Sequence, residues 1–248
     1  MTGQPQSAQV QALQEDKRMD PKHRMRIDSA VHKQGRGWFT GRIGGRPWTL
    51  SRTNRCVAAV GAVILIILLA PLLLVLAVLV KASGPGPVFF VQRRTGYRGR
   101  CFGMYKFRTM VAEAEALKES LRHLNKHGAQ SIDFKIDDDP RVTRIGRWLR
   151  RSSLDELPNL FNVVRGEMRL VGPRPTSFNA YRYKDSHLAR LSIYPGMTGL
   201  WQISGRSDID FDQRVELDLS YIAEQSLSLD LKILLKTPFK VFTGHGAS

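Results

Sequence analysis

The chain has 248 residues, room for one sizeable domain with extensions, and its 38 Lys and Arg against 22 Asp and Glu leave a formal net charge of +16 and a pI near 10.4. Such a surplus calls for an anionic partner, whether nucleic acid, a phosphorylated substrate or an acidic membrane face. Cys56 and Cys101 are too few for a disulfide framework and fit a reducing, cytosol-facing location, with no catalytic role for either. Residues 1–51 are polar, rich in Gln, Gly and Arg and without apolar periodicity, and read as a disordered basic tail. Arg42, Arg46, Arg52 and Arg55 crowd against the apolar run that follows, and Trp38, Phe39 and Trp48 suit interfacial anchors; a solvated tail with no specific ligand explains the charge equally well.

Residues 56–80 are 25 in a row without a charge, long enough to be membrane-embedded and of no use to a nucleic-acid binder. The run is too long, and starts too far from Met1, for a cleavable signal. As a straight helix it reaches roughly 37 Å against a ~30 Å hydrocarbon core, so a tilted single span is the default. Two features favour a helix that enters and returns to one face. Pro71 removes a hydrogen bond and bends a helix, and basic residues stand on both flanks: Arg52 and Arg55 before, Lys81, Arg93, Arg94, Arg98 and Arg100 after.

Ser83-Gly84-Pro85-Gly86-Pro87 ends that helix and opens a second region, 83–248. Strands at 88–91 and 101–105 flank a Gly96/Gly99 turn, a hairpin with arginines at its tip; such charge is also an ordinary guard for a sheet edge. Residues 113–124 read as a charged, solvated helix. His123 and His127 lack a third ligand nearby, so no zinc site is assigned. Asp137-Asp138-Asp139 has the D-x-D form of a nucleotide-sugar metal site, but Asp139 before Pro140 is better explained as an N-cap with proline at the first helical position. The helix from Pro140 places Val142, Ile145, Trp148 and Leu149 on one face and Arg141, Arg144, Arg147 and Arg150 around the other, suited to a membrane surface or to the core.

In Ser152-Ser153-Leu154-Asp155-Glu156-Leu157-Pro158-Asn159, two carboxylates stand just ahead of a proline. Proline is tolerated only in the first turn of a helix, so a helix starts near Leu154 to Leu157, and Asp155 and Glu156 sit at an N-terminus that favours ionised carboxylates and bound phosphate. Ser153-x-x-Glu156 is also a capping box, and on that pattern alone capping is the better reading. Gly172-Pro173-Arg174-Pro175 has no helical option and presents Arg174 on a stiff loop, a low-entropy clamp for two phosphate oxygens. The segment 194–201 is another turn, with Leu200 and Trp201 as interfacial candidates. A helix over 211–222 carries Asp218, on its own a solvated carboxylate. A last helix from Asp230, interrupted or bent at Pro238, sets Lys232, Lys236 and Lys240 beside apolar residues.

The run SSLDELPNLFNVVRGEMRLVGPRP, with GPGPVFFVQRRTGYRGRCFGMYKFRTM upstream and YPGMTGLWQISGR and ELDLSYI downstream, resembles the signature of the bacterial sugar transferases. These are the monotopic polyprenyl-phosphate hexose-1-phosphate (phosphoglycosyl) transferases, and the likeness covers residues 52–243. The resemblance implies an α+β, mainly helical, monotopic membrane protein with a re-entrant helix over 52–82, a small β-hairpin and interfacial amphipathic helices. Its transferase domain, 83–248, would face the cytoplasm at the bacterial inner membrane. The family bends its helix at a Ser-Pro pair where this chain has Ala70-Pro71.

The implied reaction is transfer of a sugar-1-phosphate from a UDP-sugar to undecaprenyl (polyprenyl) phosphate, releasing UMP, as the first membrane step of exopolysaccharide or other surface glycan synthesis. Asp155 is then the nucleophile that forms an acyl-phosphate sugar, and Glu156 ligates metal or orients groups. Lys106, Arg108 and Arg174 hold phosphate oxygens, Arg150 lies near the active site and the membrane helix, and Asp218 completes the site. Mg²⁺, held by Asp155 and Glu156, is the expected cofactor. UDP-sugar, polyprenyl phosphate and the membrane are the expected partners; nucleic acid is not, and a homo-oligomer is left open. The rival readings are a single-span glycosyltransferase with Asp137/Asp139 as its metal site and a non-catalytic basic membrane scaffold.

Overall fold

Ser51 opens the longest helix: its hydroxyl accepts a hydrogen bond from Asn54 N at 3.0 Å, an N-cap where the basic tail meets the apolar run. The computed structural model describes residues 47–242 apart from 118, 126–135, 137, 178–182 and 205–209, together with residue 29. In it, helix α1 runs Arg52–Ala82 and continues through Pro71. Among the described residues it is the one helix long and apolar enough to cross a membrane. Ala58, Ala62, Ile66, Leu69, Leu73, Leu76 and Val80, spaced by three or four, form a single stripe packed on the rest of the chain. Val60, Ile64, Ile67, Leu68, Val75 and Val78, on the other faces, are exposed. An apolar surface of that extent marks a contact with lipid or protein.

The expected tail lies, up to residue 46 and apart from residue 29, outside the described residues, but its end is folded. The 3-10 turn Trp48–Leu50 is tied to the C-terminal part of the chain. Trp48 Nε1 donates to Asp230 Oδ2 at 2.8 Å, Thr49 N and Oγ1 donate to Gln225 Oε1, and Tyr221 donates to the other Asp230 oxygen at 2.6 Å. Trp48 thus fastens the chain to itself instead of standing free as an interfacial anchor.

Strand β1 (Phe89–Thr95) pairs antiparallel with β2 (Cys101–Phe107), Phe89 opposite Phe107 and Thr95 opposite Cys101, and both strands run past their expected bounds. The described residues of 113–124 form turns and a 3-10 turn, Arg122–Leu124, not the expected helix. Leu117 and Leu124 remain exposed there, and a helix this short without a buried face is marginal in water.

Helix α2 (Arg144–Arg151) starts from a Thr143 cap, whose Oγ1 accepts from Gly146 N at 2.9 Å, and not from Asp139-Pro140 as expected. The reason is that Asp139 is already engaged: its carboxylate accepts from Arg141 Nε at 2.9 Å and Nη2 at 2.6 Å, with both residues buried, while Val142 bridges to Met110. Gly146 is needed at this contact because a Cβ would stand 2.0 Å from Thr109 O.

Helix α3 (Asn159–Arg165) packs along α1 and ends at Gly166, whose φ of 81° is the left-handed cap that glycine adopts freely. Strands β3 (Arg169–Val171) and β4 (Gly196–Thr198) pair in parallel, joined by a crossover that includes the 3-10 helix Asp185–Ser192. Helix α4 (Leu200–Ser204) follows, then α5 (Phe211–Glu224), which a reciprocal Asp210–Gln213 capping box opens, then α6 (Leu227–Phe242), which includes Pro238. Leu200 packs into the core around Val171, Ile193 and Tyr221, and Trp201 is half-buried with the Arg214 guanidinium 5.1 Å from its ring; neither is the interfacial residue expected. On α6, Leu227, Leu231, Leu235 and Phe239 are exposed beside Lys232, Lys236 and Lys240, an amphipathic outer face. The whole is a mainly helical α+β fold with small two-stranded sheets and one long apolar helix compatible with a membrane anchor.

Arg108 closes the far end of α1. It is 8% exposed; Nη2 donates to Val80 O at 2.9 Å and Gly84 O at 2.7 Å, and Nη1 donates to Pro85 O. One guanidinium thus satisfies carbonyls of the last turn and of the Gly-Pro segment beyond it. Arg108→Met strands these acceptors, which costs about 2 kcal/mol. Thermal unfolding in detergent is expected to shift down by about 5 °C for a protein of this size; an unshifted midpoint would rule out the brace.

Candidate active site

Between α2 and α3 the chain reverses at Ser153, whose φ of 55° is uncommon for a residue with a side chain. That turn lays a 3-10 segment, Leu154–Glu156, against β2. The expected capping box does not form: Ser153 makes no cap hydrogen bond, and the α-helix proper starts at Asn159 with Pro158 as its N-cap. Asp155 and Glu156 therefore sit one turn ahead of the helix. Their surroundings come from strand, loop and helix end together.

Glu156 is the better-held of the two. Oε1 accepts from Lys106 Nζ at 2.7 Å, Oε2 accepts from Arg174 Nη1 at 2.7 Å, and Arg174 Nη2 also donates to Oε1. Capping loses because two cations offer stronger, charge-assisted bonds than a backbone N–H. Burial opposes ionisation of Glu156, but Arg174 and Lys106 outweigh it and hold the carboxyl well below its usual range. Asp155 has a different environment. Its Oδ2 stands 3.8 Å from Lys106 Nζ, and it makes no hydrogen bond among the described residues. Burial pushes its carboxyl up to about 6, against the pull of Lys106, while the neighbouring Glu156 charge adds to the rise. Burial also lowers the Lys106 ammonium, with Glu156 and Asp155 opposing.

Lys106 comes from β2 itself, one residue before the strand ends. Arg174 comes from the loop after β3, which the hairpin fixes: Thr95 N donates to Thr176 O at 3.0 Å and Arg94 Nη1 to Pro175 O at 3.3 Å. Arg150, at the end of α2, donates from Nε to Thr109 Oγ1 at 2.9 Å, and its charge bears on Asp155. Lys106, Arg150, Arg174, Asp155 and Glu156 are thus brought together.

Three expected site residues lie elsewhere. Arg108 is consumed at the end of α1, away from any phosphate-binding role in this arrangement. Asp218, expected to complete the site, is 1% exposed within α5 and pairs with Arg190, whose Nε donates to Oδ2 at 3.0 Å. Burial raises its carboxyl to about 6 against the pull of Arg190. Pro71 sits exposed within α1. Of the D-x-D alternative, Asp137 lies outside the described residues and both oxygens of Asp139 accept from Arg141; His127 also lies outside them. Among the described residues, no three His, Cys, Asp or Glu side chains converge.

Sequence reasoning missed Arg94, Arg190 and the asparagines of α3. Asn162 stitches that helix to β2: its Oδ1 accepts from Tyr105 N at 3.0 Å and its Nδ2 donates to Gly103 O at 2.7 Å. Asn159, 1% exposed and one turn after Asp155, has neither amide atom paired among the described residues. The one available signal for Arg190 was a charge between Ala189 and Leu191 in an otherwise apolar stretch.

Comparison with known proteins gives this constellation a context. A family model for bacterial sugar transferases matches residues 49–244. The chain is 44% identical over 197 residues to the undecaprenyl-phosphate galactose phosphotransferase of Salmonella typhimurium, covering 78% of this chain and 41% of that protein. It is 46% identical over 197 residues to the UDP-galactose-lipid carrier transferase of Erwinia amylovora, again 78% of this chain and 41% of the other. With the exopolysaccharide production protein ExoY of Rhizobium meliloti it shares 41% identity over 197 residues, 78% of this chain and 87% of ExoY. The chain spans about two-fifths of the length of the first two relatives and most of the third. By the extent of the matched model and the near-full coverage of ExoY, it belongs to the bacterial sugar transferase family.

Proposed function

We propose that the protein transfers a sugar-1-phosphate from a UDP-sugar to undecaprenyl phosphate, releasing UMP, at the cytoplasmic face of the bacterial inner membrane. The observation that carries this reading is the division between the two carboxylates: Glu156 is locked by Lys106 and Arg174, while Asp155 stands beside the same cations with no hydrogen bond among the described residues. A carboxylate that is buried, unbonded and surrounded by cations is a nucleophile for an anionic phosphoryl centre. The names of relatives support the substrates, with galactose, glucose and N-acetylgalactosamine phosphotransferases among them.

In the proposed course an Asp155 oxygen bonds to the β-phosphorus, the bond from that phosphorus to the bridging oxygen breaks, and UMP departs with the electron pair. The lipid phosphate oxygen then attacks the same phosphorus, the acyl-phosphate bond breaks, and the Asp155 carboxylate returns. Lys106 and Arg174 screen charge on the phosphate oxygens in both steps, and Arg150 adds to the positive field. Both Glu156 oxygens are taken by Lys106 and Arg174, so of the pair it is Asp155 that would offer an oxygen to a Mg²⁺, an ion that needs only one or two protein carboxylates. Such an ion, when bound, would neutralise part of the diphosphate charge.

What supports the membrane placement is α1. Its packed stripe runs from Ala58 to Val80, so both halves of the helix stay against one polar domain. A spanning helix would drag that domain into hydrocarbon, where every unpaired polar group costs several kcal/mol. The reading is therefore re-entrant, with Arg52, Arg55 and Lys81, all exposed, on the cytoplasmic side.

Asp155→Asn is expected to lower transfer at least about a thousandfold, equivalent to about 4 kcal/mol of barrier. Intact-mass analysis of wild-type protein quenched with UDP-sugar alone should show a hexosyl-phosphate adduct; full activity in the variant, or UDP as product, would reject the assignment. For pH, the attacking form of Asp155 is the ionised one, and its carboxyl titrates at about 6, so kcat/KM for the donor should rise about tenfold per unit below pH 6 and level off above 7. A profile flat between pH 5 and pH 7 would contradict this. Topology is read with Thr53→Cys and Ala82→Cys, made singly in a chain whose Cys56 and Cys101 are serine. An impermeant maleimide is expected to reach both only from the cytoplasmic side, whereas labelling from opposite sides would mean a span.

A further inference from the structure

The Pro-Arg-Pro loop has no repeating secondary structure, yet each of its carbonyls is tied. Pro173 O accepts from Gly196 N at 3.0 Å, Pro175 O from Arg94 Nη1 and Thr176 O from Thr95 N. These three donors belong to the β1 and β4 framework. The fourth carbonyl, that of Arg174, accepts at 2.9 Å from Arg190 Nη2, a buried charged side chain.

Arg190 and Asp218 are 4% and 1% exposed, and come from the 3-10 helix Asp185–Ser192 and from the middle of α5. Nε and Nη2 of Arg190 both donate to Asp218 Oδ2, and Nη1 reaches Tyr183 OH at 3.5 Å. The Phe211 ring lies 5.4 Å from the guanidinium carbon. Removing an ion pair from water generally costs as much as its attraction returns, so stability alone does not account for a pair placed so deep. Its third partner does: the main chain of the residue whose side chain grips Glu156.

We propose that Arg190 and Asp218 are positioning residues for the donor substrate. Asp218 fixes the plane of the Arg190 guanidinium, Arg190 fixes the Arg174 carbonyl, and the Arg174 side chain is thereby aimed at Glu156 and the donor diphosphate. Asp218 acts at two removes from the substrate. The flanking prolines set their own φ and Pro175 biases Arg174 to extended geometry; within that range this bond selects one orientation of the Arg174 carbonyl. The proposal rests on the reading of Arg174 as the clamp for the nucleotide diphosphate.

The test uses the full chain in detergent with UDP-sugar and undecaprenyl phosphate, measuring KM for each substrate, kcat and thermal unfolding. In Arg190→Met/Asp218→Leu both charges are replaced by apolar groups of similar size, a change that keeps buried sites folded while removing the tie to Arg174. Donor kcat/KM is expected to fall at least about tenfold with the lipid KM within about twofold of wild type, a split that a general packing defect does not produce. Should the double variant fail to fold, Arg190→Lys decides on the same criterion, since a point charge cannot serve Asp218 and the Arg174 carbonyl in one plane. Arg174→Ala is the reference. If it cripples donor use while the folded brace variant keeps wild-type kinetics, the brace is not needed and the proposal fails. Equal losses for donor and lipid would also overturn it, as general scaffolding. If Arg174→Ala leaves donor kinetics unchanged, the clamp reading itself falls and the proposal with it.

Discussion

The Glu156 carboxylate is the junction on which the site depends. It joins Lys106, 50 positions earlier on a strand, to Arg174, 18 positions later on a loop, and so fixes where hairpin, turn and loop meet. Buried charges persist only when paired and hydrogen-bonded, and here one acid satisfies two cations at once. The adjacent acid is left over. Asp155 shares the field of these cations without being spent on them, and two neighbouring carboxyls are driven apart, one held ionised and one pushed up to about 6. The difference arises from position alone, since the chemical groups are alike.

Local signals in the sequence were read well and long-range ones poorly. The apolar helix, the hairpin about Gly96 and Gly99 and the stiff loop at Arg174 each carry their cause within a few residues, in uncharged length, glycine and proline. The α5 start, a reciprocal Asp210–Gln213 cap, is likewise local, and its position was found. Ser153-x-x-Glu156 has the same form and does not cap, because cations from β2 and the loop compete for Glu156, and no local pattern contains them. The Asp139 cap failed for a local reason instead, by loss to Arg141 two residues on. The parallel β3–β4 pair is three residues per strand, too short for alternation to appear. Asp218 read as a surface carboxylate since its helix is amphipathic by pattern; burial follows only once Arg190, 28 positions away, is folded against it.

The hairpin also links the carboxylate pair to the end of the apolar helix. Lys106 lies in β2 and Arg108 one residue past its end. One meets Glu156; the other holds the Val80 and Gly84 carbonyls where the apolar helix ends. The Arg108 guanidinium is committed to backbone. It fixes the terminus of the apolar helix beside the strand that carries Lys106. A lipid acceptor has its phosphate at the membrane surface and its chain in hydrocarbon, and it cannot travel far from that boundary without exposing the chain to water. Lys106, which pairs with the carboxylates, stands two residues from the arginine that closes the apolar helix. The adjacent Glu156 is gripped by Arg174 from a loop tied through Arg94 and Arg190. Under the proposed reaction two substrates of opposite solubility would have to meet at one acid, and holding that acid at the boundary would explain why a stripe of α1 from Ala58 to Val80 is packed against the rest of the chain.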